Sequence, residues 1–431
     1  MSGLRNWAGN VVYRAEAVHH PASVAELRAV VAGHARVRAL GTRHSFSELA
    51  DTTGQLVCLD ALPRTVEIDS SARTARVSAA LSYADIAPEL ERAGFALPNL
   101  ASLPHVSVAG ACATGTHGSG VRNATLSAQV SALDLVTADG DLVTVNRDAA
   151  GELFDGMVVG LGALGIVVAL TLDLVPSFRM RQRVYEELPL AAFDGADHRF
   201  DELVSAAYSV CLFTDLSGPT LNQVWINQRT DEPACDPRQW PWFTARPAPG
   251  PRHPIARLSA ANCTAQLDMP GPWFDRLPHF RADFQPSAGD ELQSEYMIPR
   301  EHAVAALRAL DQARDGIRPA LQICELRTVA PDGLWLSPCH GRDSVSVHFT
   351  WISDASVVLP VVALVEELLA PFDPRPHWAK VFTTAPGVLA GRYPKLADFH
   401  RLALSYDPGG KFGNDFLDRC LGLRTPTPVS R

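Results

Sequence analysis

The sequence predicts an α+β protein, because segments typical of antiparallel hairpins are mixed with segments typical of helices. Two pairs of alternating apolar segments are each joined by a short polar turn, which is typical of β-hairpins: Thr65–Ile68 with Thr74–Ser78, and Val130–Thr137 with Leu142–Val145. Between them the apolar residues recur with helical spacing. The length of 431 residues, 47% of them hydrophobic, indicates two or three domains with separate cores.

Residues 1–176 are predicted to form one domain of alternating helices and strands. The succession lacks the regular strand–helix–strand order of a parallel sheet, which favours α+β architecture. The predicted elements, besides the two hairpins, are a helix after Ser23, a strand over Arg36–Leu40, a helix from Ser82 to Arg92 that ends at Gly94, a helix over Glu152–Val159, and a strand over Ile166–Leu174.

Residues 177–395 are predicted to form a second domain, in which an antiparallel sheet is flanked by helices. Its strand candidates are Ala206–Phe213, Gln223–Asn227, Leu321–Val329 and Val345–Trp351, and its helical patterns are Arg300–Ala313 and Val357–Leu369. Residues 233–254 carry seven prolines and two tryptophans, which predicts a long irregular loop over a surface. Residues 396–431 are a predicted tail with a turn at Asp407-Pro408-Gly409-Gly410.

Composition argues against several classes of protein. The net charge is −9 and no basic stripe is present, so no nucleic-acid partner is expected. The N-terminus lacks the apolar segment of a signal peptide. The longest apolar run, residues 156–172, contains four glycines and suits a buried strand, so no membrane span is expected. The eight cysteines are scattered without a Cys-x-x-Cys pair, which favours reduced thiols in a cytoplasmic protein, and we expect a monomer.

The segment Gly160-Leu161-Gly162-Ala163-Leu164-Gly165 matches the G-x-G-x-x-G pattern of dinucleotide-binding proteins. That pattern works when a strand precedes it and a helix follows, because the helix N-terminus then faces the diphosphate. Here a helix precedes and a strand follows. We therefore interpret it as a tight glycine turn that can contact a cofactor through its backbone.

A second feature is the absence of charge. Residues 93–121 contain no Asp, Glu, Lys or Arg, and small residues dominate the part from Ala101 to Gly120. Small residues let backbone N–H groups approach a ligand, so such a loop can bind a diphosphate without a basic side chain. The alternative is a glycine-rich packed loop. A metal site made by His105, Cys112 and His117 has poor ligand spacing, and no metal is expected.

Charged residues also lie inside predicted strands. Glu325 and Arg327 share one face of Leu321–Val329, and His348 shares a face with Thr350 in Val345–Trp351. A surface salt bridge is the simple interpretation, but apolar neighbours on the same face indicate partial burial. His44, in the turn after Gly41, and Lys380, one of only three lysines, are further candidates.

Taken in order along the chain, these pieces resemble the FAD-linked oxidases of the vanillyl-alcohol oxidase type, and among them the alditol oxidases. The resemblance covers nearly the whole chain. It rests on Asn6–Asn10, Gly41–Phe46, Leu97–Gly120, Val136–Gly140, Leu161–Leu174, Cys324–Thr328, His348–Trp351, Pro376–Lys380 and Asp407–Asn414.

The resemblance implies a two-part FAD-binding domain, closed by the tail, with an inserted substrate domain. It implies FAD attached covalently to His44, with Arg43 standing where several relatives have glycine. The implied cofactor-binding residues are Gly41, Thr42, Arg43, His44, Ser45, Phe46, Ser102, Ser107, Gly110, Thr114, Gly115, Thr116, His117, Gly165, Ile166 and Asn414. Ala101 is the implied position beside the flavin that bears on oxygen access.

The resemblance further implies oxidation of the terminal C1 hydroxyl of sugar alcohols such as xylitol or sorbitol, with reduction of oxygen to hydrogen peroxide. The implied substrate-binding residues are Ser102, Glu325, Arg327, Thr350 and Lys380, and the implied catalytic residues are Glu325, Arg327, His348 and Lys380. Lys380 and His348 both remain candidates for the proton acceptor, whereas Arg327 stays protonated. Two other functions remain open: an aldonolactone oxidoreductase and a non-catalytic sugar-binding flavoprotein.

Overall fold

The computed structural model describes residues 3–196, 198–233, 235–284 and 290–423, so the end of the predicted tail lies outside the described residues. A small parallel sheet begins the fold, with Gln55–Val57 between Ala17–His19 and Val37–Ala39. The sequence patterns indicated only the last of these strands. The described α-helices are Val24–Gly33, Tyr83–Arg92, Val108–Ala113, Arg147–Ala150, Glu152–Val158, His198–Val204, Ala303–Gln312, Arg314–Ile317, Ala355–Leu369, Pro386–Arg392, Leu396–Tyr406 and Asp415–Leu421.

Both predicted hairpins are present, and they form a five-stranded antiparallel sheet with one further strand between them. In spatial order the strands are Val66–Asp69, Thr74–Ser78, Ile166–Asp173, Val130–Val136 and Leu142–Asn146. The helix Tyr83–Arg92 begins at Ser82 with a reciprocal capping box to Asp85, as its sequence signature predicts. Val175–Pro176 and Phe95–Ala96 form a separate two-stranded pair.

The second part of the chain builds a nine-stranded antiparallel sheet flanked by helices, which confirms the predicted α+β class. Two of its long strands, Arg179–Pro189 and Glu291–Pro299, were not among the predicted ones. In spatial order the strands are Arg246–Pro247, Arg179–Pro189, Thr220–Arg229, Ser209–Thr214, Leu321–Val329, Ser344–Ile352, Glu291–Pro299 and Arg375–Pro376, and Gly271–Pro272 pairs with Arg179–Pro189.

The described residues form two large hydrophobic cores. The first core is built from residues 27–180, from the C-terminal segment and from five residues of the second part of the chain, Trp273, Leu277, Leu334, Trp335 and Leu336. The second core is built from residues between 185 and 369, joined by Phe46. The first core also takes in Trp378, Leu389 and Tyr393, so the C-terminal segment joins it before residue 396. The Pro-rich segment contributes Phe243 and Ala245 to the second core and therefore does more than cover a surface.

Among the described residues, one helical stretch, Ala355–Phe372, is long and apolar enough to cross a membrane by length and composition alone. Its buried residues Val358, Val362, Val365 and Leu369 follow helical spacing and lie in the second core. Only this face of the helix is buried, since Val357 and Leu359 are exposed. The expectation that the chain has no membrane partner stays a prediction.

Candidate active site

A cavity of about 1280 Å³ is lined by residues of the first core, such as Leu135 and Leu161, and by residues of the nine-stranded sheet, such as Glu325 and Arg327. It runs from the turn Gly41–Phe46 and the small-residue loop on one side to the nine-stranded sheet on the other. Ligand sites for drug-sized molecules occupy ~300–1,000 Å³. The cavity is therefore large enough for a dinucleotide together with a small substrate.

Strand periodicity explains how the sheet presents polar groups to this cavity. Ile323, Glu325 and Arg327 line the cavity, whereas Cys324 and Leu326 between them lie in the second core. The neighbouring strands repeat the pattern, because ladder pairing places facing residues side by side. Glu325 pairs with His348, and His348 pairs in turn with Glu295.

Arg327 is the centre of the buried charge network. Its Nη2 donates to Oε1 of Glu295 at 2.9 Å, its Nη1 donates to Oγ of Ser102 at 3.1 Å, and its Nε lies 3.5 Å from Oε1 of Glu325. Burial would raise the pKa of Glu295, but the charges of His117 and Arg327 outweigh burial and hold it well below its usual range. Burial raises the pKa of Glu325, which Arg327 offsets only in part. The network thus contains one firmly ionised carboxylate and one less firmly ionised carboxylate.

His117 connects the small-residue loop to this network. Its Nδ1 lies 2.9 Å from the carbonyl oxygen of Gly118 and must donate, since a carbonyl only accepts. Its Nε2 lies 3.0 Å from Oε1 of Glu295. One proton must therefore be held between His117 and Glu295, and both side chains are fully buried.

A second polar group lies around Lys380. Nζ of Lys380 donates to Oε1 of Gln293, and Nε2 of His348 lies 3.2 Å from the same oxygen. The amide nitrogen of Gln293 donates to Glu291. Burial is the largest cause that lowers the pKa of both Lys380 and His348. Lys380 also lies over the ring of Phe46, with Nζ 5.0 Å from its centroid.

The donor atoms of Cys211, His279 and Glu325 also converge, lying within 4.8 Å of one another. Burial, and then Arg327, lower the pKa of His279 to about 3, and burial raises the pKa of the Cys211 thiol far above its usual value. The triplet is therefore a neutral imidazole, a neutral thiol and a carboxylate that Arg327 already faces. The residues of the metal site considered from sequence have other contacts, since His105 faces the carbonyl of Ala282 and Cys112 faces Tyr83.

The turn that carries His44 is strained at the residue before it. Arg43 adopts φ 62°, the left-handed region that glycine tolerates best, and this gives a physical reason for a glycine there in relatives. The His44 ring stacks on Trp7 with centroids 5.4 Å apart. Burial, and then the charge of Lys380, lower the pKa of His44 to about 4, so its imidazole is neutral at pH 7 with a free lone pair.

The wall of the cavity opposite the nine-stranded sheet fits a dinucleotide. A Cβ at Gly41 or Gly110 would come within 2.9 Å or 2.8 Å of Oγ of Ser107, so a larger residue at either position would have to displace the Ser107 hydroxyl. The glycine turn at residues 160–165 also lines the cavity, as its interpretation as a cofactor contact requires. Arg38, which sequence reasoning missed, holds this turn by donating to the carbonyls of Leu161 and Gly162. These residues fit FAD by small size rather than by charge.

Most of the candidate residues converge on the cavity. Those lining it are Gly41, Thr42, Arg43, His44, Ser45, Phe46, Ala101, Ser102, Ser107, Gly110, Thr114, Thr116, His117, Gly165, Glu325, Arg327, His348, Thr350 and Lys380. Gly115, Ile166 and Asn414 are not among its lining residues. Gly115 packs against Pro338 with φ 70°, and Ile166 is buried in the first core. Asn414 caps the helix Asp415–Leu421 and donates to the carbonyls of Leu49 and Asp51, so its implied contact with the cofactor stays a prediction.

Sequence reasoning missed three residues of the network: Gln293, Glu295 and His279. The first two lie on the strand Glu291–Pro299, where Glu291, Gln293 and Glu295 alternate on one face. That alternation of polar residues was the available signal. His279 lies in an irregular segment, and nothing in its local sequence marks it.

Comparisons with known proteins agree with this geometry. Residues 15–146 match the family described as FAD binding domain, and residues 290–420 match the family described as D-arabinono-1,4-lactone oxidase. An alditol oxidase of Streptomyces sp. is 53% identical over 420 residues, covering 96% of this chain and 98% of that protein. An L-gulono-1,4-lactone dehydrogenase of Mycobacterium tuberculosis is 28% identical over 444 residues, covering 97% and 98%.

Among solved structures, cholesterol oxidase from B. sterolicum matches with a TM-score of 0.76 at 16% identity, covering 97% of this chain and 96% of that one. This likeness shows the fold alone. Together, the fold, the FAD binding domain and the cavity against the nine-stranded sheet define an FAD-linked oxidase of the vanillyl-alcohol oxidase type. On the strength of the match over nearly its whole length, the chain belongs to the alditol oxidase family.

Proposed function

We propose that this protein oxidises the terminal C1 hydroxyl of a sugar alcohol such as xylitol or sorbitol to the aldose, with FAD as cofactor and oxygen reduced to hydrogen peroxide. The observation that carries the proposal is the polar floor of the cavity. Glu325, Arg327, Thr350 and Lys380 lie there side by side, opposite the wall that fits FAD. The 53% identity with an alditol oxidase supports the same conclusion.

The floor suits a neutral, densely hydroxylated substrate. Oε1 of Glu325 and Nε of Arg327 are buried without a hydrogen-bond partner in the described residues. An unsatisfied buried polar atom costs about 1–3 kcal/mol, which a substrate hydroxyl would recover. Thr350 and Ser102 add hydroxyls that can donate or accept. A substrate lacking these hydroxyls would leave the same groups unpaired and would be rejected.

The side chains also suit the charge that develops during oxidation of an alcohol. When bound, FAD accepts two electrons from the carbon that is oxidised and passes them to oxygen, which no side chain can do. The hydroxyl must lose its proton, and Arg327 places positive charge where an alkoxide would form. Lys380 and His348 are the groups able to take the proton.

We propose that His44 carries FAD covalently. A nucleophile must be unprotonated, and the depressed pKa of His44 supports this. Stacking on Trp7 holds the ring in one orientation. We further propose a cytoplasmic monomer without a membrane partner. All eight cysteines are free thiols, as in reducing compartments, and one chain supplies every residue of the floor.

The experiment is a substrate panel with peroxide detection on the purified holoenzyme. Xylitol and sorbitol are compared with galactono- and gulonolactone, because the family match over residues 290–420 is to a lactone oxidase. We expect turnover and peroxide with the polyols. Turnover on lactones alone would contradict the proposal in favour of the aldonolactone oxidoreductase, and failure of every polyol to bleach the flavin anaerobically would favour a binding protein.

A further inference from the structure

The two cations of the cavity floor have partners of different kinds. Arg327 faces two carboxylates, Glu295 at 2.9 Å and Glu325 at 3.5 Å. Nζ of Lys380 instead donates to the neutral amide oxygen of Gln293, and no carboxylate of the described chain forms an ion pair with it. Arg327 is thus neutralised by its surroundings, whereas Lys380 is not.

The orientation of the Gln293 amide is fixed from both sides. The carboxylate of Glu291 accepts from the amide nitrogen, so the amide oxygen is turned towards Lys380, which donates to it. Reversing the amide would set a donor against the ammonium and an acceptor against the carboxylate. The amide oxygen therefore also faces Nε2 of His348 at 3.2 Å and requires a hydrogen on that nitrogen.

This arrangement decides between the two candidate proton acceptors. With hydrogen on Nε2, the lone pair of a neutral His348 lies on Nδ1. Nδ1 is buried and has no hydrogen-bond partner in the part of the chain that the structure describes. Both residues line the cavity, but His348 is only 7% exposed whereas Lys380 is half-buried. A bound hydroxyl therefore reaches Nζ of Lys380 more readily than Nδ1 of His348, and Lys380 is the better placed group to accept the proton.

We infer that Gln293 is a positioning residue that withholds a counter-ion from Lys380, so that the lysine amine can release its own proton and then accept the proton of the substrate hydroxyl. The inference rests on the proposed function. In that step the O–H bond breaks as an N–H bond forms on Nζ, and the hydrogen on carbon leaves with its electron pair to the bound FAD. The lysine ends as an ammonium and regains its neutral form by releasing the proton.

The surroundings of Lys380 favour this role on balance. Burial lowers its pKa most, and Arg327 lowers it further, whereas Glu295, Glu291 and Glu325 raise it from a distance. The rings of His348 and His44 are neutral, because burial depresses the pKa of both. The neutral amine must be the active form, so the rate should rise as pH rises through the pKa of Lys380. Replacing Gln293 by glutamate would add the missing counter-ion and raise that pKa.

The chain permits a direct measurement, because it contains only three lysines. Protein labelled with [ε-¹³C]lysine gives three NMR signals to titrate, with or without FAD and without substrate. Lys395, which pairs with Asp398 at 3.5 Å, and Lys411, which donates to the carbonyl of Val31, serve as internal references. The signal that Lys380→Met removes identifies Lys380.

We expect the Lys380 signal to titrate at a lower pH than the other two signals. We expect Gln293→Glu to raise the pKa of Lys380 by at least ~1 unit. Gln293→Met, which has no charge, should not raise it and provides a second variant if the first folds poorly. Gln312→Glu makes the same charge change at an exposed helical position and should leave the signal unchanged. A wild-type Lys380 that titrates together with the references, or one that Gln293→Glu leaves unmoved, would overturn the inference.

A kinetic experiment tests the same inference. It measures, as a function of pH, the rate at which a polyol bleaches the flavin without oxygen. One unit of higher pKa leaves about tenfold less neutral amine below that pKa, so Gln293→Glu should be about tenfold slower at neutral pH. An equal or faster rate would show that Lys380 acts as a permanent cation and would refute the inference. A wild-type protein that no polyol bleaches contradicts the proposed function instead, and the NMR titration still decides the role of Gln293.

Discussion

Replacing Glu295 by glutamine tests the buried charge network most directly. The carboxylate faces Arg327 at 2.9 Å and His117 at 3.0 Å, and it accepts from Oγ of Ser346. Glutamine has nearly the same shape but no charge. It keeps one acceptor and leaves Arg327 with Glu325 as its remaining carboxylate, so the expected effect is a loss of stability without a change of fold.

The magnitude follows from the burial of the pair. Removing one partner of a buried ion pair costs about 3–5 kcal/mol, and the retained amide oxygen places this variant near ~3 kcal/mol. At roughly 2–4 °C per kcal/mol for domains of this size, the melting temperature should fall by roughly 6–12 °C. The folded pKa of Glu295 is lower than its unfolded value of 4.5. Its contribution to stability is therefore complete above that value and is lost as pH falls towards the folded pKa.

The assay is thermal unfolding of wild type and variant at pH 7 and at pH 4. The difference between them should be large at pH 7 and smaller at pH 4. Glu301→Gln is the matched control, because the Glu301 side chain is 79% exposed, and it should change the melting temperature little at either pH. A shift below about 2 °C at pH 7, or a difference that grows in acid, would refute the assignment of Glu295 as the ionised centre of the network.

Three further predictions concern single residues. His44→Ala should lose acid-stable flavin, and yellow colour that stays with the denatured variant would disprove the covalent link. Arg327→Ala should slow the anaerobic bleaching of the flavin by a polyol at least ~100-fold. The control Arg318→Ala, at an exposed position, should bleach at the wild-type rate. Near-normal bleaching of Arg327→Ala would remove Arg327 from the mechanism. Asn414→Ala should cost about 1–2 kcal/mol of stability with the flavin content unchanged, and lost flavin at unchanged stability would place Asn414 in the cofactor site.

Much of the fold could be predicted because its signals are local. The hairpins, the capped helix after Ser82 and the strand Leu321–Val329 each depend on neighbouring residues, and all are present. The strands Arg179–Pro189 and Glu291–Pro299 were missed because they mix charged with apolar residues. Such a strand is stabilised by ladder pairing with distant segments, and the local pattern does not contain that information.

The site divides in the same way. The amino-acid sequence by itself identified the small uncharged loop, the turn with His44, the Glu325–Arg327 face and Lys380 as parts of a site. These features depend only on residue type and spacing. The tertiary structure alone decides which carboxylate contacts Arg327, that Gln293 rather than a carboxylate contacts Lys380, and that Asn414 caps a helix. Charge states depend on distance and burial across elements far apart in the chain, and only the folded arrangement sets those two quantities.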